Sequence, residues 1–170
     1  FDTAVWTGAE PAWAAGGTVV IVRRIRMLLD EWDRMDVAAK EMVIGRRLDN
    51  GAPLGGDSEE DPVRLDVLDD SGLPVIPSSA HVRIAHAESD EEMILRRPYT
   101  YDAGFIDGVQ DAGLIFAAYT ADPRRSFIPM QQRLADKDAF NRWNTTIGSA
   151  TYMIPPGCAQ GDYIASGLFT

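Results

Sequence analysis

The clearest change in the pattern of apolar and polar positions follows the glycine pair Gly16 and Gly17. The run TVVIVRRIRM that comes next is rich in β-branched residues, which favour a strand. Two stretches of helical character follow it, LLDEWDRM and DVAAKEMVIG. Asp36 is a good N-cap for the second helix, and Gly45 supplies a stop. The first third of the chain is therefore predicted to form a strand followed by two helical segments.

The second half of the chain contains three further apolar runs and one helical segment. EEMILRR and AGLIFAAYT, the latter Ala112–Thr120, are typical of strands, and SATYMIPP is the last strand before Pro155 and Pro156. IPMQQRLADKDAFNRW predicts a helix with Pro129 in its first turn. The resulting order fits one antiparallel sheet with the helices on one face. This is the ferredoxin-like arrangement of the α+β class, and we expect one such domain over residues 1–170.

Residues 46–77 are the loosest part of the pattern. The segment contains several glycines and prolines, the turn signals DNG and DSG, and a strong acidic bias. A loop of this length inside a compact domain is usually functional or acts as a lid. We therefore expect a long loop between the two halves of the sheet.

Composition excludes several classes of function. The formal net charge of −10 argues against nucleic acid as a partner, because binding to its backbone needs a basic surface. With 45% hydrophobic and 25% charged residues the chain is globular, and no apolar run approaches the ~20 residues that cross a bilayer. Cys158 is the single cysteine, so the chain has neither an internal disulfide nor a metal site of two cysteines and two histidines.

The candidate chemistry is concentrated in the stretch PSSAHVRIAHAESDEEMILRR, residues 77–97. It contains both histidines of the chain, His81 and His86, and it ends in Arg96 and Arg97. A neutral imidazole ligates metals, and an arginine beside a reacting oxidant is a permanent positive charge and hydrogen-bond donor. We expect His81 on a loop and Arg96 at the end of a strand. From these residues alone, a structural or surface histidine is the commoner alternative.

Four longer motifs extend over and beyond this stretch. They are IPSSAHVRIAHA, MILRRPYTYDAG, DAGLIFAAYTADPRRSFIPMQQRLADKDAFN and TIGSATYMIPPG. In content and order they resemble the haem-binding half of the dye-decolorizing (DyP-type) peroxidases, above all the exported subgroup that includes deferrochelatase-like members. The similarity runs from about Val5 to the end of the chain. It implies the second, C-terminal ferredoxin-like domain of a two-domain peroxidase, with haem b as cofactor.

The resemblance implies roles for residues on the proximal side of the haem. His81 matches the histidine of an A-H-x-R motif that ligates the iron, so it is the expected metal-binding residue. The other ring nitrogen of such a ligand needs an acceptor. Asp138 in ADKDAFN is the first choice and Asp136 the second, and both are otherwise helix-surface acids. Arg83 suits a haem propionate, or it is an ordinary surface arginine.

On the distal side, the resemblance makes Arg96, the first arginine of L-R-R, the catalytic donor that stabilises charge as peroxide is cleaved. Arg97 would alternate to the opposite face of the strand. Leu114 and Phe116 share one face of the following strand and match the family's apolar pocket lining. The alternative for these two residues is ordinary core packing.

One tempting match is refused, and one rival ligand remains. The segment 104–108 matches the family's G-x-x-D-G motif in letters, but the family places that motif well before the proximal histidine. Asp107 comes after it and is predicted to lie in a turn or small loop between two strands. His86 is the rival iron ligand, at a position where the family does not have histidine.

The start of the chain carries apolar residues where a polar tail is usual, namely Phe1, Val5, Trp6 and Trp13. One interpretation is a tail folded over its own domain. The other is a chain cut from, or encoded apart from, an N-terminal half that carries the G-x-x-D-G aspartate. On that interpretation the N-terminal half is a separate partner chain. A homo-oligomer is a further alternative.

The function implied by the resemblance is a haem-dependent peroxidase that reduces hydrogen peroxide and oxidises dyes or phenolic compounds. Removal of iron from haem is a related activity in the subgroup. Export to the periplasm or the extracellular space is implied by the resemblance alone. The alternative function is a non-catalytic ferredoxin-like module that binds haem or senses a ligand and has lost its distal aspartate.

Overall fold

The structure is a computed structural model that describes residues 2–169. Phe1, one of the apolar residues at the start of the chain, lies outside this range. The helices are α1 (Asp2–Val5), α2 (Leu29–Asp33), α3 (Val37–Ile44), α4 (His81–Ile84) and α5 (Phe127–Lys137). The strands are β1 (Thr18–Met27), β2 (Leu95–Arg96), β3 (Tyr99–Ile106), β4 (Val109–Thr120) and β5 (Asn144–Ile154). Short 3-10 segments cover Ala12–Ala14, Asp90–Glu92, Ala139–Trp143 and Ser166–Leu168.

The chain divides into two compact units, each assembled from separate segments. The sheet unit comprises the chain up to Met27, Ala87–Pro129, and the chain from Thr146 onward. The helical unit comprises Leu28–His86 and Met130–Thr145. The expectation of one domain over residues 1–170 is not decided by this division and stays a prediction.

Strand β4 is the centre of the sheet. It pairs antiparallel with β1, from Val19 opposite Thr120 to Arg26 opposite Gly113. Its other edge pairs with β2 and with β3, and β5 lies beyond β1. The strand order is therefore that of a ferredoxin-like fold in which the second strand is broken into two pieces. The predicted α+β, ferredoxin-like class is confirmed.

Strand β3 was not predicted, and it forms a hairpin with β4. Ile106 pairs with Val109, so Asp107 and Gly108 are a two-residue turn with φ angles of 52° and 81°. Two successive positive φ angles suit aspartate and glycine and are typical of a tight hairpin turn. The turn predicted for Asp107 is confirmed. The strand itself was missed because nearly all of its residues are exposed, so it lacks the alternation that identifies a half-buried strand.

The predicted ends of α3 agree with the structure, whereas the predicted length of α5 does not. The carboxylate of Asp36 accepts a hydrogen bond from the N–H of Ala39 at 2.7 Å, and Gly45 ends α3 with a φ of 89°. Both of these predicted caps are confirmed. The long helix expected through Trp143 was wrong, because α5 ends at Lys137 and a 3-10 segment follows.

Helix α4 packs against the end of α3 within the helical unit. A Cβ atom added to Gly45 would lie 2.3 Å from a methyl group of Val82, so the two segments approach closely at this glycine. Ile76 and Ala80, which precede the helix, are completely buried. The end of the long loop and α4 therefore share one small core.

The N-terminal residues pack on the sheet unit. The carbonyl of Ala4 accepts a hydrogen bond from the N–H of Ala121 at 2.9 Å, and Val5 is buried. Trp6 is 50% exposed. A tail folded over its own unit accounts for Val5 and leaves part of Trp6 in solvent. Within residues 2–169, no helix has the length and apolar character needed to cross a membrane.

Candidate functional site

His81 is the first residue of helix α4, where a loop was expected. The preceding Ala80 has extended backbone, and its carbonyl accepts from the N–H groups of Arg83 and Ile84 at 3.0 and 3.1 Å. The loop prediction was wrong because four helical residues are too few to leave a periodic pattern in the sequence. Burial of Ala80 and Ile84 on either side of the turn holds the helix in place.

His81 and Asp138, which were predicted to pair, are in contact. Nδ1 of the imidazole lies 2.7 Å from Oδ2 of the carboxylate. The aspartate side chain is 2% exposed and the histidine side chain 35% exposed. An ionised carboxylate only accepts hydrogen bonds, so a neutral imidazole in this pairing has its ring proton on Nδ1 and its lone pair on Nε2. Asp136, the second choice, instead accepts from the side-chain amide of Gln132.

The backbone around Asp138 fixes the position of its carboxylate. Oδ1 accepts from the N–H of Phe140 at 2.9 Å, so Asp138 is the N-cap of the 3-10 segment rather than an acid on a helix surface. The N–H of Ala139 donates to the carbonyl of Ser79 at 3.0 Å. Backbone and side-chain bonds therefore join this segment to the residues around His81.

Arg83 joins helix α4 to the long loop. Its Nε donates to the carbonyls of Ile76 and Pro77 at 3.1 and 3.2 Å. Its Nη2 donates to the carbonyls of Leu65 and Ile76 at 2.8 and 2.7 Å. These contacts give the arginine a structural role that the sequence did not suggest. The expected contact with a haem propionate stays a prediction.

The rival histidine, His86, follows the end of α4. The residue is exposed, and its carbonyl accepts from Nη2 of Arg133 at 3.2 Å. Asp138 contacts the ring of His81, so the carboxylate partner expected of an iron ligand is found at the first histidine. The choice between the two histidines as ligand stays a prediction.

In the sheet unit, the residues expected on the distal side share one face. Arg96 of β2 lies opposite Ala118 of β4. Side chains alternate along a strand, so Leu114 and Phe116 point to the same face as Ala118 and Arg96. By the same alternation Arg97 points to the other face, and its N–H donates to the backbone of β4 at 2.8 Å. The sheet therefore brings a guanidinium and two apolar side chains onto one surface.

A second arginine on this face was missed in the sequence. Arg23 of β1 lies opposite Phe116, and its Nη2 donates to Oγ1 of Thr146 at 2.7 Å. Its guanidinium carbon is 5.9 Å from the centre of the Phe127 ring. Burial lowers the pKa of Arg23. The sequence contains three arginines in β1, but only the strand register assigns each of them to a face.

The opposite face of the sheet carries a polar network that was also missed. Nη2 of Arg24 lies 2.5 Å from Oδ2 of Asp111, and the hydroxyl of Tyr101 donates to Oδ1 at 2.9 Å. The guanidinium carbon lies 4.5 Å from the centre of the tyrosine ring. Burial raises the pKa of Tyr101, and the hydrogen bond to Asp111 adds to this rise. The three residues come from three strands, so no local sequence pattern could indicate the network.

Residues 1–159 match a family model described as Dyp-type peroxidase, C-terminal. The chain belongs to this family. A dye-decolorizing peroxidase of Thermobifida fusca (strain YX) is 51% identical over 160 residues, which are 92% of this chain and 37% of that protein. A deferrochelatase of Escherichia coli (strain K12) is 35% identical over 172 residues, which are 96% of this chain and 40% of that protein. The DyP-type resemblance is confirmed.

Solved structures of DyP-type proteins superpose on the whole chain. A structure of DtpA from Streptomyces lividans, an oxyferrous/water mixed complex, matches with a TM-score of 0.94 and 41% identity and covers 100% of this chain and 48% of that one. A DyP-type peroxidase from Cellulomonas bogoriensis matches with a TM-score of 0.94 and 43% identity, and covers 98% and 46%. The chain therefore spans less than half the length of these relatives.

Replacing Asp138 with alanine is expected to destabilise the DyP-type chain, because the ring N–H of His81 and the backbone N–H of Phe140 both lose an acceptor. A fully buried polar group without a partner costs roughly 1–3 kcal/mol, and these two donors are only partly buried, so the free energy of unfolding should fall by about 1–3 kcal/mol. Urea unfolding measures this. The exposed Asp136→Ala is the matched control and should change it by less than about 0.5 kcal/mol. Equal losses in the two variants would contradict the pairing.

Proposed function

We propose that this chain is the haem-binding half of a peroxidase that reduces hydrogen peroxide and oxidises organic molecules such as dyes or phenols. The observation that carries the proposal is the His81–Asp138 pair, found in an A-H-x-R motif of a DyP-type chain. The name of the Thermobifida fusca relative supports dyes as reducing substrates. The deferrochelatases among the relatives add removal of iron from haem as a related activity.

The donor set around His81 fits haem. A porphyrin supplies the equatorial ligands of its iron and needs only an axial donor from the protein. In the neutral ring Nε2 of His81 provides a nitrogen lone pair, and the side chain is partly exposed. Across residues 2–169, no three His, Cys, Asp or Glu side chains cluster as they would around a metal ion held by protein alone. A single accessible imidazole with a buried carboxylate behind it is the ligand type that haem uses.

A bound haem would supply the redox chemistry by which peroxide is reduced. The chain's own contribution begins with Asp138, which orients the imidazole of His81 and makes it a more basic ligand. Arg83 would bind a haem carboxylate in addition to the loop carbonyls that it already contacts. Leu114 and Phe116 would cover part of the haem with apolar surface and exclude water.

Arg96 would act on the peroxide itself. An arginine guanidinium is a hydrogen-bond donor that carries a permanent positive charge. Negative charge develops on peroxide as it loses a proton and its O–O bond is cleaved, and a preorganised cation stabilises that charge. This is the catalytic role that we assign to Arg96.

Activity is proposed to need the N-terminal half of the family's fold as a partner. The family's distal aspartate belongs to a G-x-x-D-G motif in that half, whereas Asp107 lies in a hairpin turn. The chain spans 37–48% of the relatives described above, which supports a two-part protein. Export from the cytoplasm belongs to the same proposal, since it rests on the resemblance to the exported subgroup.

Replacing His81 with alanine should abolish the Soret band, or leave a weakly held pigment, because the axial donor is lost. The His86→Ala variant is the matched control and should keep the wild-type spectrum. Absorption spectra of the two variants, with circular dichroism to confirm folding, provide the measurement. A normal spectrum in His81→Ala together with loss of pigment in His86→Ala would overturn the assignment.

Replacing Arg96 with leucine should keep the pigment and slow its reaction with hydrogen peroxide. Loss of one preorganised donor costs on the order of 10²–10³ in rate. Stopped-flow absorbance gives the rate constant, and Arg97→Leu serves as the control because that side chain points to the other face of the sheet. Unchanged kinetics in Arg96→Leu would count decisively against its role.

Native mass spectrometry tests the proposed second half. The active protein is expected to contain a further polypeptide segment of comparable size that carries a G-x-x-D-G aspartate. Such a segment should stay bound through purification, because permanent interfaces are large and apolar. The idea fails if a homogeneous 18.6 kDa monomer binds haem and turns over peroxide at the rate usual for the family.

A further inference from the structure

The imidazole of His81 has a second neighbour besides Asp138. The ring of Phe140 stands edge-on to it, with 5.6 Å between the ring centres and 68° between the planes. Phe140 follows Asp138 by two residues, so one short segment contacts the imidazole through a carboxylate and through an aromatic ring. Phe140 was not predicted from the sequence to contact His81.

A hydrogen bond at Nδ1 alone does not fix the orientation of an imidazole. The torsion that rotates a histidine ring has a broad, roughly two-fold energy profile, so the ring can pivot about a bond at one corner. An aromatic neighbour at an edge-to-face angle restricts this pivoting, because rotation would lose the favourable contact. At His81, the bond to Asp138 therefore fixes the position of Nδ1, and the ring of Phe140 restricts rotation of the imidazole about it.

Phe140 is itself held by groups other than His81. Its N–H donates to Oδ1 of Asp138 at 2.9 Å, and its carbonyl accepts from the side-chain amide of Asn144 at 2.8 Å. Its ring stands edge-on to Trp32, with ring centres 5.3 Å apart. Trp32 in turn stands edge-on to Trp143, at 5.5 Å. The phenylalanine therefore presents a fixed surface to the imidazole.

We propose that Phe140 is a positioning residue that sets the rotation of the His81 ring and keeps its Nδ1–H on Asp138. The proposal rests on the proposed function, because a ring of fixed orientation matters when Nε2 has to point at the haem iron. The contact itself is observed independently of that function. Trp32 packs against the ring of Phe140, so any effect of Trp32 on the His81 ring is transmitted by Phe140.

The test is the exchange of the His81 Nδ1–H with solvent, followed by NMR in the protein as isolated, with and without haem. Exchange requires the ring to open away from Asp138. Loss of one aromatic contact should make opening roughly 2- to 10-fold more frequent, so Phe140→Leu should raise the exchange rate by that factor. The chain has two histidines, and a His86→Gln variant assigns the signal of His81.

Two controls separate positioning from general destabilisation. The backbone N–H of Ile84, a buried residue in the same helix, should exchange at an unchanged rate in Phe140→Leu. Trp143 belongs to the same aromatic cluster but contacts Trp32 rather than His81. Trp143→Leu should therefore leave the exchange rate of the Nδ1–H unchanged. Phe140→Tyr keeps the ring and should restore the wild-type rate. If the leucine variant does not fold, Phe140→Met takes its place with the same expectation.

The haem protein offers a second readout. The iron–imidazole stretching band of the ferrous form should broaden or shift in Phe140→Leu and stay unchanged in Trp143→Leu. An unchanged Nδ1–H exchange rate in Phe140→Leu, or an equal rise at Ile84, would overturn the positioning role even if His81 proves to be the iron ligand. Conversely, faster exchange confined to His81 would support the role even if His81→Ala kept its pigment and the proposed function failed.

Discussion

The hydrogen bond between His81 and Asp138 is the contact on which the candidate site depends. Its partners are 57 positions apart in the chain. A helix as short as α4 has little stability of its own in water, because its nucleation is costly and few hydrogen bonds offset that cost. The helix therefore keeps its orientation through tertiary contacts, and the polar ones among them are the bond from His81 to the buried carboxylate and the bonds from Arg83 to the loop carbonyls. Asp138 depends on the same bond in turn, since its buried Oδ2 would otherwise lose its donor and only Oδ1, bound by the N–H of Phe140, would stay paired.

Strand register has the corresponding role in the sheet unit. The alternation of side chains along β4 and its neighbours assigns Arg96, Leu114 and Phe116 to one face and Arg97 to the other. It adds Arg23 to the first face, and it collects the partly buried network of Arg24, Asp111 and Tyr101 on the second. A shift of register by one residue would exchange the two faces completely. The chemistry of each face therefore depends on the backbone pairing as much as on the side chains themselves.

The parts of this structure that could be predicted from sequence are those with a local physical signal. Asp36 and Gly45 mark the ends of α3 because capping chemistry involves neighbouring residues, and the β-branched run of β1 favours a strand by itself. The break at Asp138 was missed although the aspartate caps the 3-10 segment that follows, because the residues beyond it continue a helical pattern. The contact between Phe140 and His81 was equally invisible, since it joins segments that meet only in the folded chain. The pairing of His81 with Asp138 was anticipated through family resemblance rather than through any pattern in the residues.

The contacts of Arg83 show that the arginine of the A-H-x-R motif has a structural role in this chain. Its guanidinium gathers the carbonyl oxygens of Leu65, Ile76 and Pro77, which the single ammonium group of a lysine could not bridge in the same way. Any chain with this fold would have the same structural reason to retain this arginine, whether or not it binds haem. Finding the motif in a new sequence would then indicate that the histidine's helix is anchored to its loop. A functional ligand would be inferred only when a carboxylate partner is also found further along the chain.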